Sequence, residues 1–295
     1  MKQDNLLSII ICTLGSRDII KRCLDSIYIE NTQSIKYEVI VVDQSSTHNI
    51  ERLCMQYRDV IWVPSKNKGL SLNRNIGLSM ANGQWLYFLD DDAWLDQKFF
   101  INIKSSLKNV KTPSVVIIDA LRNDTGKYYV NRFNPNKIYK INSKNLSPIF
   151  TICSLSAIFS KDVFNIVGSF DENLGAGAVF PSCEETDILI RASIANISFK
   201  YIPNTRAFHP PYIINIDDSM IAKAYKRAHG HGALYKKHSL KNKKIQYFFY
   251  YKIIAGIIAP FLKSVLYLFS CRLLKSKLFL FISIGKFKGF LLYNR

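Results

Sequence analysis

The last 77 residues of this 295-residue chain contain no aspartate and no glutamate. All 22 acids lie in residues 1–218, where 24 Lys and Arg nearly balance them, and the other 16 Lys and Arg crowd into residues 219–295. The net charge of +18 is therefore a property of the tail, and it does not make the first 218 residues a nucleic-acid binder. The tail also lacks the aromatic-basic pattern of a nucleic-acid module, so no nucleic-acid partner is expected. The six cysteines form no CxxC pair, and no histidine stands at metal-ligand spacing, which leaves reduced thiols rather than a disulfide frame or a zinc site. The opening MKQDNLLSIIICTL has too short an apolar run, and no basic flank or small-residue cleavage site, to be a signal peptide. It reads as a first strand, and a cytosolic catalytic part is expected. No internal repeat or low-complexity tract is present. What the chain does have is 48% apolar residues, ample for one large α/β domain or two smaller ones.

Residues 7–13 form a β-branched apolar run, as expected of a strand buried on both faces, and Ile19, Cys23 and Ile27 follow at helical spacing. The alternation repeats, with strands at 38–43, 60–63 and 84–89 and helices at 49–57 and 70–81. Such units predict a mostly parallel sheet with helices on both faces, which places ligands beyond the carboxyl ends of the strands. Thr13, Asp43 and Asp90–Asp92 fall at those ends. Further on, 114–121 and 154–160 read as strands, with loops and a hairpin in the Asn- and Lys-rich stretch between them. Residues 161–167 read as a short helix, and a long Gly-containing loop leads to a helix starting near Ser182 or Glu184. A last short strand covers 199–202, and His209-Pro210-Pro211 marks a turn.

Four groups are candidates for chemistry. Asp90 and Asp92, two apart at a strand end, point the same way if the strand persists; they suit either Mg²⁺ or Mn²⁺, or a solvated acidic turn capping the next helix. KNKGLSLNRNIGL at 66–78 offers Lys66, Lys68 and Arg74 around a helix opened by Gly69, a place where a phosphate group is welcome. Glu184, Glu185 and Asp187 follow the Gly175-Ala176-Gly177 loop, and one of them could act as a general base or all could complement the helix dipole. His209 reads as a structural histidine or as a group reaching a metal or diphosphate.

In this order the segments LSIIICTLGSR, EVIVVDQSS, NKGLSLNRNIGL, FLDDDAW and GSFDENLGAGAVFPSCEETDILIRA resemble those of glycosyltransferase family 2 proteins of GT-A fold, over residues 7 to about 210. The resemblance implies inverting transfer of a sugar from a nucleoside diphosphate donor to a hydroxyl of a glycan or lipid-linked acceptor. It implies nucleotide-sugar contacts from Thr13, Arg17, Asp43, Asn67, Gly69, Arg74 and Asp91. Asp90 and Asp92 would bind Mg²⁺ or Mn²⁺, with His209 as a further ligand. Glu185 would be the base, although it stands where the family often has Asp, which leaves Glu184 and Asp187 as candidates.

The tail reads as a helix over 216–238, weakened in its middle by Gly230 and Gly232. An apolar segment follows over 253–271, nearly long enough to span a bilayer. Lys263 and Pro260 within it favour an interfacial or re-entrant hairpin over a span or a buried core helix. Lys241, Lys243, Lys244, Arg272, Lys275 and Lys277 flank it and suit the anionic cytoplasmic face of a membrane. The expected organisation is a catalytic domain over 1–215 and a membrane-associated helical region over 216–295, acting in surface polysaccharide or lipid-linked glycan assembly. Two competing readings are a nucleotidyltransferase on a similar sheet and a non-enzymatic basic scaffold on anionic lipid.

Overall fold

The structure, a computed structural model, describes residues 6–28, 35–45, 49–129, 141–142, 144–211, 215–241 and 245–293. Much of the expected loop and hairpin region (130–140 and 143), together with Lys243 and Lys244, lies outside the described residues. The chain divides into two compact units. Met1–Lys68, Leu72–Phe170 and Ile188–Pro211 make the first, and Gly69–Ser71, Asp171–Asp187 and Tyr212–Arg295 the second.

Among the described residues, the first unit is built on an eight-stranded sheet in the order β3-β2-β1-β4-β7-β6-β8-β5. Its parallel half comprises β1 (Leu6–Thr13), β2 (Lys36–Asp43), β3 (Val60–Pro64) and β4 (Trp85–Asp90). These strands form where β-branched and aromatic runs can be buried on both faces. On one face, Leu7, Ile9, Ile11, Val39, Val41, Trp85 and Tyr87 meet Ile20, Leu24 and Ile27 of α1 (Arg17–Tyr28), Ile50 and Leu53 of α2 (Asn49–Cys54), and Phe99, Phe100 and Ile103 of α4 (Phe99–Leu107). Each such side chain contributes roughly 1.5–3 kcal/mol by leaving water. On the other face α3 (Leu70–Met80) comes so close at Gly77 that a Cβ there would strike the side chain of Ile10.

Past β4 the sheet changes direction. β7 (Ala157–Ser160) runs antiparallel to both β4 and β6 (Ser114–Arg122), β8 (Ser198–His209) runs parallel to β6, and the two-residue β5 (Trp94–Leu95) pairs antiparallel with β8. The sheet is thus mostly parallel with helices on both faces; β5 is a strand that the expected pattern lacks, and two expected strands differ in extent. The expected strand at 154–160 begins as a 3₁₀ turn, Ser154–Ser156. The expected short strand at 199–202 continues to His209 through Pro203 and Asn204, the latter at φ +66° beside a register shift in its pairing with β6. α5 (Lys161–Val167) closes this half, and α6 (Glu184–Ile194) contributes its residues from Ile188 onward.

In the second unit, the helices α7 (Asp218–Lys241), α8 (Gln246–Phe269) and α9 (Leu273–Leu292) pack together. α8 and α9 form an antiparallel hairpin: Ser264 donates to the Ser276 carbonyl and Ser283 to the Ile257 carbonyl, each at 2.8 Å, with Cys271 at φ +54° in the turn. α7 is continuous through Gly230 and Gly232, contrary to the weakening expected from propensity alone, because the missing side chains let helices approach. A Cβ on Gly232 would run into the Lys286 carbonyl, and one on Gly289 into the His229 carbonyl. Overpacking of this kind outweighs the roughly 1 kcal/mol that Ala gains over Gly in a helix. Gly289→Ala is therefore expected to destabilise this unit by about 1–3 kcal/mol, read as a lowered denaturation midpoint.

Only 11% of the apolar window of α8 is buried, which sets aside a core helix of this unit. Tyr247, Tyr251, Ile254, Leu262, Leu266 and Phe269 of α8 are exposed, as are Leu273, Phe287, Leu291 and Leu292 of α9.

Candidate active site

The parallel half of the sheet gathers the first cluster. Register pairs Thr13 with Asp43 and Cys12 with Asp90, so the carboxyl ends of β1, β2 and β4 lie side by side. Asp43, nearly buried, accepts the Ser45 amide at 2.8 Å on one oxygen and Trp62 Nε1 at 3.2 Å on the other. Arg74, 3% exposed, pairs with Asp90 Oδ1 at 3.0 Å, and Ser154 donates to Asp90 Oδ2 at 3.0 Å. The guanidinium lies 5.9 Å from the Phe88 ring centroid and 5.7 Å from that of Phe170, aromatic faces that favour a cation. Asn67 is exposed; its carbonyl accepts Asn73 Nδ2 at 2.9 Å. Arg17 stands exposed at the first position of α1.

The three consecutive acids diverge. Asp91 turns to Thr13, whose hydroxyl donates to its Oδ2 at 2.7 Å. Asp92 Oδ1 pairs with His209 Nε2 at 3.2 Å, while the other ring nitrogen of His209 sits 2.8 Å from the Pro210 carbonyl. The His209 bond holds Asp92 below the usual carboxylate range, although burial works against it. Burial disfavours the His209 cation, but the bonds to Asp92 and the Pro210 carbonyl outweigh it and raise its pKa. Asp91 is pushed up to about 6, by burial first and by the Asp92 and Asp90 charges, against the Thr13 bond.

Because its folded pKa lies above the unfolded value, Asp91 contributes stability that is complete below about pH 4 and is lost as pH rises through about 6. In metal-free buffer, Asp91→Asn is expected to be more stable than wild type by about 1–2 kcal/mol near pH 8, after allowance for solvent screening, and by almost nothing near pH 4. Urea unfolding at the two pH values checks this.

In the second unit, the loop before α6 is fastened to the start of α3. The Leu70 amide donates to the Ala176 carbonyl at 2.8 Å, and the Ser71 hydroxyl donates to the Leu174 carbonyl. The helix start expected to welcome a phosphate therefore has its first amide taken by the loop. Gly69 itself is buried, at φ +127°. Gly175, at φ +104°, has no room for a Cβ: one would stand 2.8 Å from Ser71 Oγ and 3.2 Å from Glu184 Oε2.

The acids of α6 then separate by burial. Asp187 is 0% exposed and bound to Lys237 Nζ at 2.8 Å and His238 Nε2 at 2.9 Å, with Lys237 also reaching Asp171 at 2.7 Å. Glu184 is 7% exposed, and Glu185 is only partly buried. Sequence reasoning missed Ser154, Trp62 and Arg22, whose Nη2 donates to the Asp92 carbonyl at 2.9 Å while the guanidinium stacks 4.1 Å over Trp94. Partners 19 to 70 residues apart in the chain leave no local signal.

The profile of glycosyl transferase family 2 matches residues 8–167, more than half of the chain. The chain is 23% identical over 246 residues to rhamnosyltransferase WbbL of Escherichia coli, covering 75% of this chain and 89% of that protein. It is 27% identical over 206 residues to an Escherichia coli UDP-Glc:alpha-D-GlcNAc-diphosphoundecaprenol beta-1,3-glucosyltransferase, WfaP, covering 67% and 65%. Some relatives are far longer: the chain spans 17% of the minor teichoic acid biosynthesis protein GgaB of Bacillus subtilis, at 27% identity over 157 residues, 49% of this chain. Among solved structures, the mannosyltransferase PcManGT of Pyrobaculum calidifontis, in complex with GDP-Man and Mn²⁺, superposes with a TM-score of 0.66 at 15% identity, over 95% of this chain and 86% of that one. That likeness establishes the GT-A fold, and the profile match shows that the chain belongs to glycosyltransferase family 2.

Proposed function

We propose that the protein is an inverting glycosyltransferase that moves a sugar from a nucleoside diphosphate to an acceptor hydroxyl in the assembly of a surface polysaccharide or a lipid-linked glycan. The observation that carries this reading is the cluster at the ends of β1, β2 and β4, where Asp43, Arg74, Asp90, Asp92 and His209 converge. Asp43, ordered by Trp62 and Ser45, receives the base or ribose. Arg74 contacts the nucleotide-sugar and orients Asp90, and Thr13 with Asp91 supports the ribose side.

Among the described residues no group of three His, Cys, Asp or Glu could hold a metal by itself. Two carboxylates nonetheless fit a hard divalent cation such as Mg²⁺ or Mn²⁺, which commonly takes one or two protein carboxylates and completes its shell with substrate phosphates and water. Asp90 and Asp92 would hold it, while His209, expected as a further ligand, instead bonds Asp92 through Nε2 and orients that carboxylate. When bound, it supplies positive charge against the departing diphosphate. Glu185 takes the proton of the acceptor hydroxyl, and attack opposite the leaving group inverts the anomeric centre.

The exposed apolar faces of α8 and α9 and the acid-free tail support a place on the cytoplasmic face of the membrane, peripheral or re-entrant, against anionic lipid. By this reading residues 1–215 supply the catalytic part and 216–295 the membrane-associated region. Incubating the full chain with individual UDP-, GDP- and dTDP-sugars and Mn²⁺ identifies the donor. The anomeric coupling of the product by NMR then checks the stereochemistry, and retained configuration would sink the single-displacement mechanism.

A further inference from the structure

α7 begins with two acids that already have partners. Asp217 Oδ1 accepts the Met220 amide at 2.7 Å as a cap, and Asp218 binds Lys277 Nζ at 2.6 Å. Beyond them Lys223, Lys226 and Arg227 share one helical face at i, i+3 and i+4. The loop before α6 lies along the same helix. Ser182 donates to the Arg227 carbonyl at 2.9 Å, and Gly230 is so close to Ser182 that a Cβ would collide with it. Between this fastening and the start of α7 lies a pocket of about 760 Å³, lined by Gly177 and Pro181 of the loop and by Asp217, Lys223, Lys226 and Arg227. Its volume falls in the range of small-ligand sites.

The lining carries three cations and one acid, and that acid is engaged in capping. Like charges at i, i+4 repel on a helix, and a bound anion relieves this. We infer that this pocket receives the phosphate or diphosphate group of a phosphate-bearing acceptor. The inference rests on the glycosyltransferase reading for calling the ligand an acceptor. The pocket's own loop runs directly into Glu184 and Glu185, the acids that open α6, whereas the donor diphosphate has its own carboxylates and Arg74 in the first unit. The phosphate could belong to a lipid-linked sugar diphosphate or to a polyol phosphate polymer.

The test is titration calorimetry on the full chain in chelator, which suppresses metal-dependent diphosphate binding, with farnesyl diphosphate, a short glycerol phosphate oligomer and farnesol as probes. Wild type is compared with Lys223→Gln/Lys226→Gln; both lysines are exposed, and matched melting curves confirm that the variant is folded. At least one phosphate probe is expected to bind about tenfold more weakly to the variant, with farnesol unchanged. A loss confined to farnesyl diphosphate indicates a lipid-linked source, and one confined to the oligomer a polyol phosphate. Equal phosphate affinity in the folded variant, or no phosphate binding by wild type, overturns the assignment. Nucleotide binding with Mn²⁺ is read in parallel: its absence from wild type overturns the glycosyltransferase reading instead.

Discussion

Glu185→Gln is expected to slow sugar transfer by about 10²–10⁴-fold while leaving metal-dependent nucleotide affinity unchanged. A general base must reach the proton that it removes, and the three acids of α6 differ in that respect. Asp187 is wholly buried, and its Oδ1 meets both Lys237 and His238. Its role in this account is to tie α6 to α7. Glu184 is nearly buried against Gly175, where it supports the loop. Glu185 alone of the three is only partly buried. Glutamine preserves its size and polarity but cannot accept the proton, so the loss belongs in kcat. Glu184→Gln is expected to lower stability more than rate, and a larger rate loss there than at Glu185 would exchange the two assignments.

The second large effect is expected at Asp92. Removing a partner of a metal ligand typically costs 10–100-fold, so Asp92→Ala, which removes a ligand itself, is expected to cost about a hundredfold or more in metal-dependent donor affinity and rate. Asp90→Ala should lose as much activity and also destabilise the fold by about 1–3 kcal/mol, since it removes the carboxylate paired with the buried Arg74. Asp91→Ala should be the mildest, because Asp91 faces Thr13 rather than His209. Donor titrations and urea unfolding of the three variants separate these outcomes, and equal activity loss at all three positions would refute the division.

Much of this was legible in the sequence where burial is symmetrical. β1, β2 and β4 are apolar runs because both faces are covered, and their ends marked Thr13, Asp43 and Asp90. β8 was underestimated because Pro203 and Asn204 resemble a strand end, while the register shift opposite Ile117 and Asp119 lets the pairing resume. Gly230 and Gly232 read as weak points of a helix because propensity describes an isolated helix; close contacts with Ser182 and Lys286 reverse their meaning. Asp187 could not be distinguished from its neighbours, since its partners Lys237 and His238 stand about 50 residues later. The donor sugar was not readable, because pocket shape comes from loops with no local code.

The most direct measurement of the central claim is the identity of the phosphate released when the full chain turns over its donor, with Mn²⁺ and with excess chelator. Release of a nucleoside diphosphate with Mn²⁺, and little release in chelator, is the expected result. Release of pyrophosphate, or of nucleoside diphosphate at an undiminished rate in chelator, would contradict it.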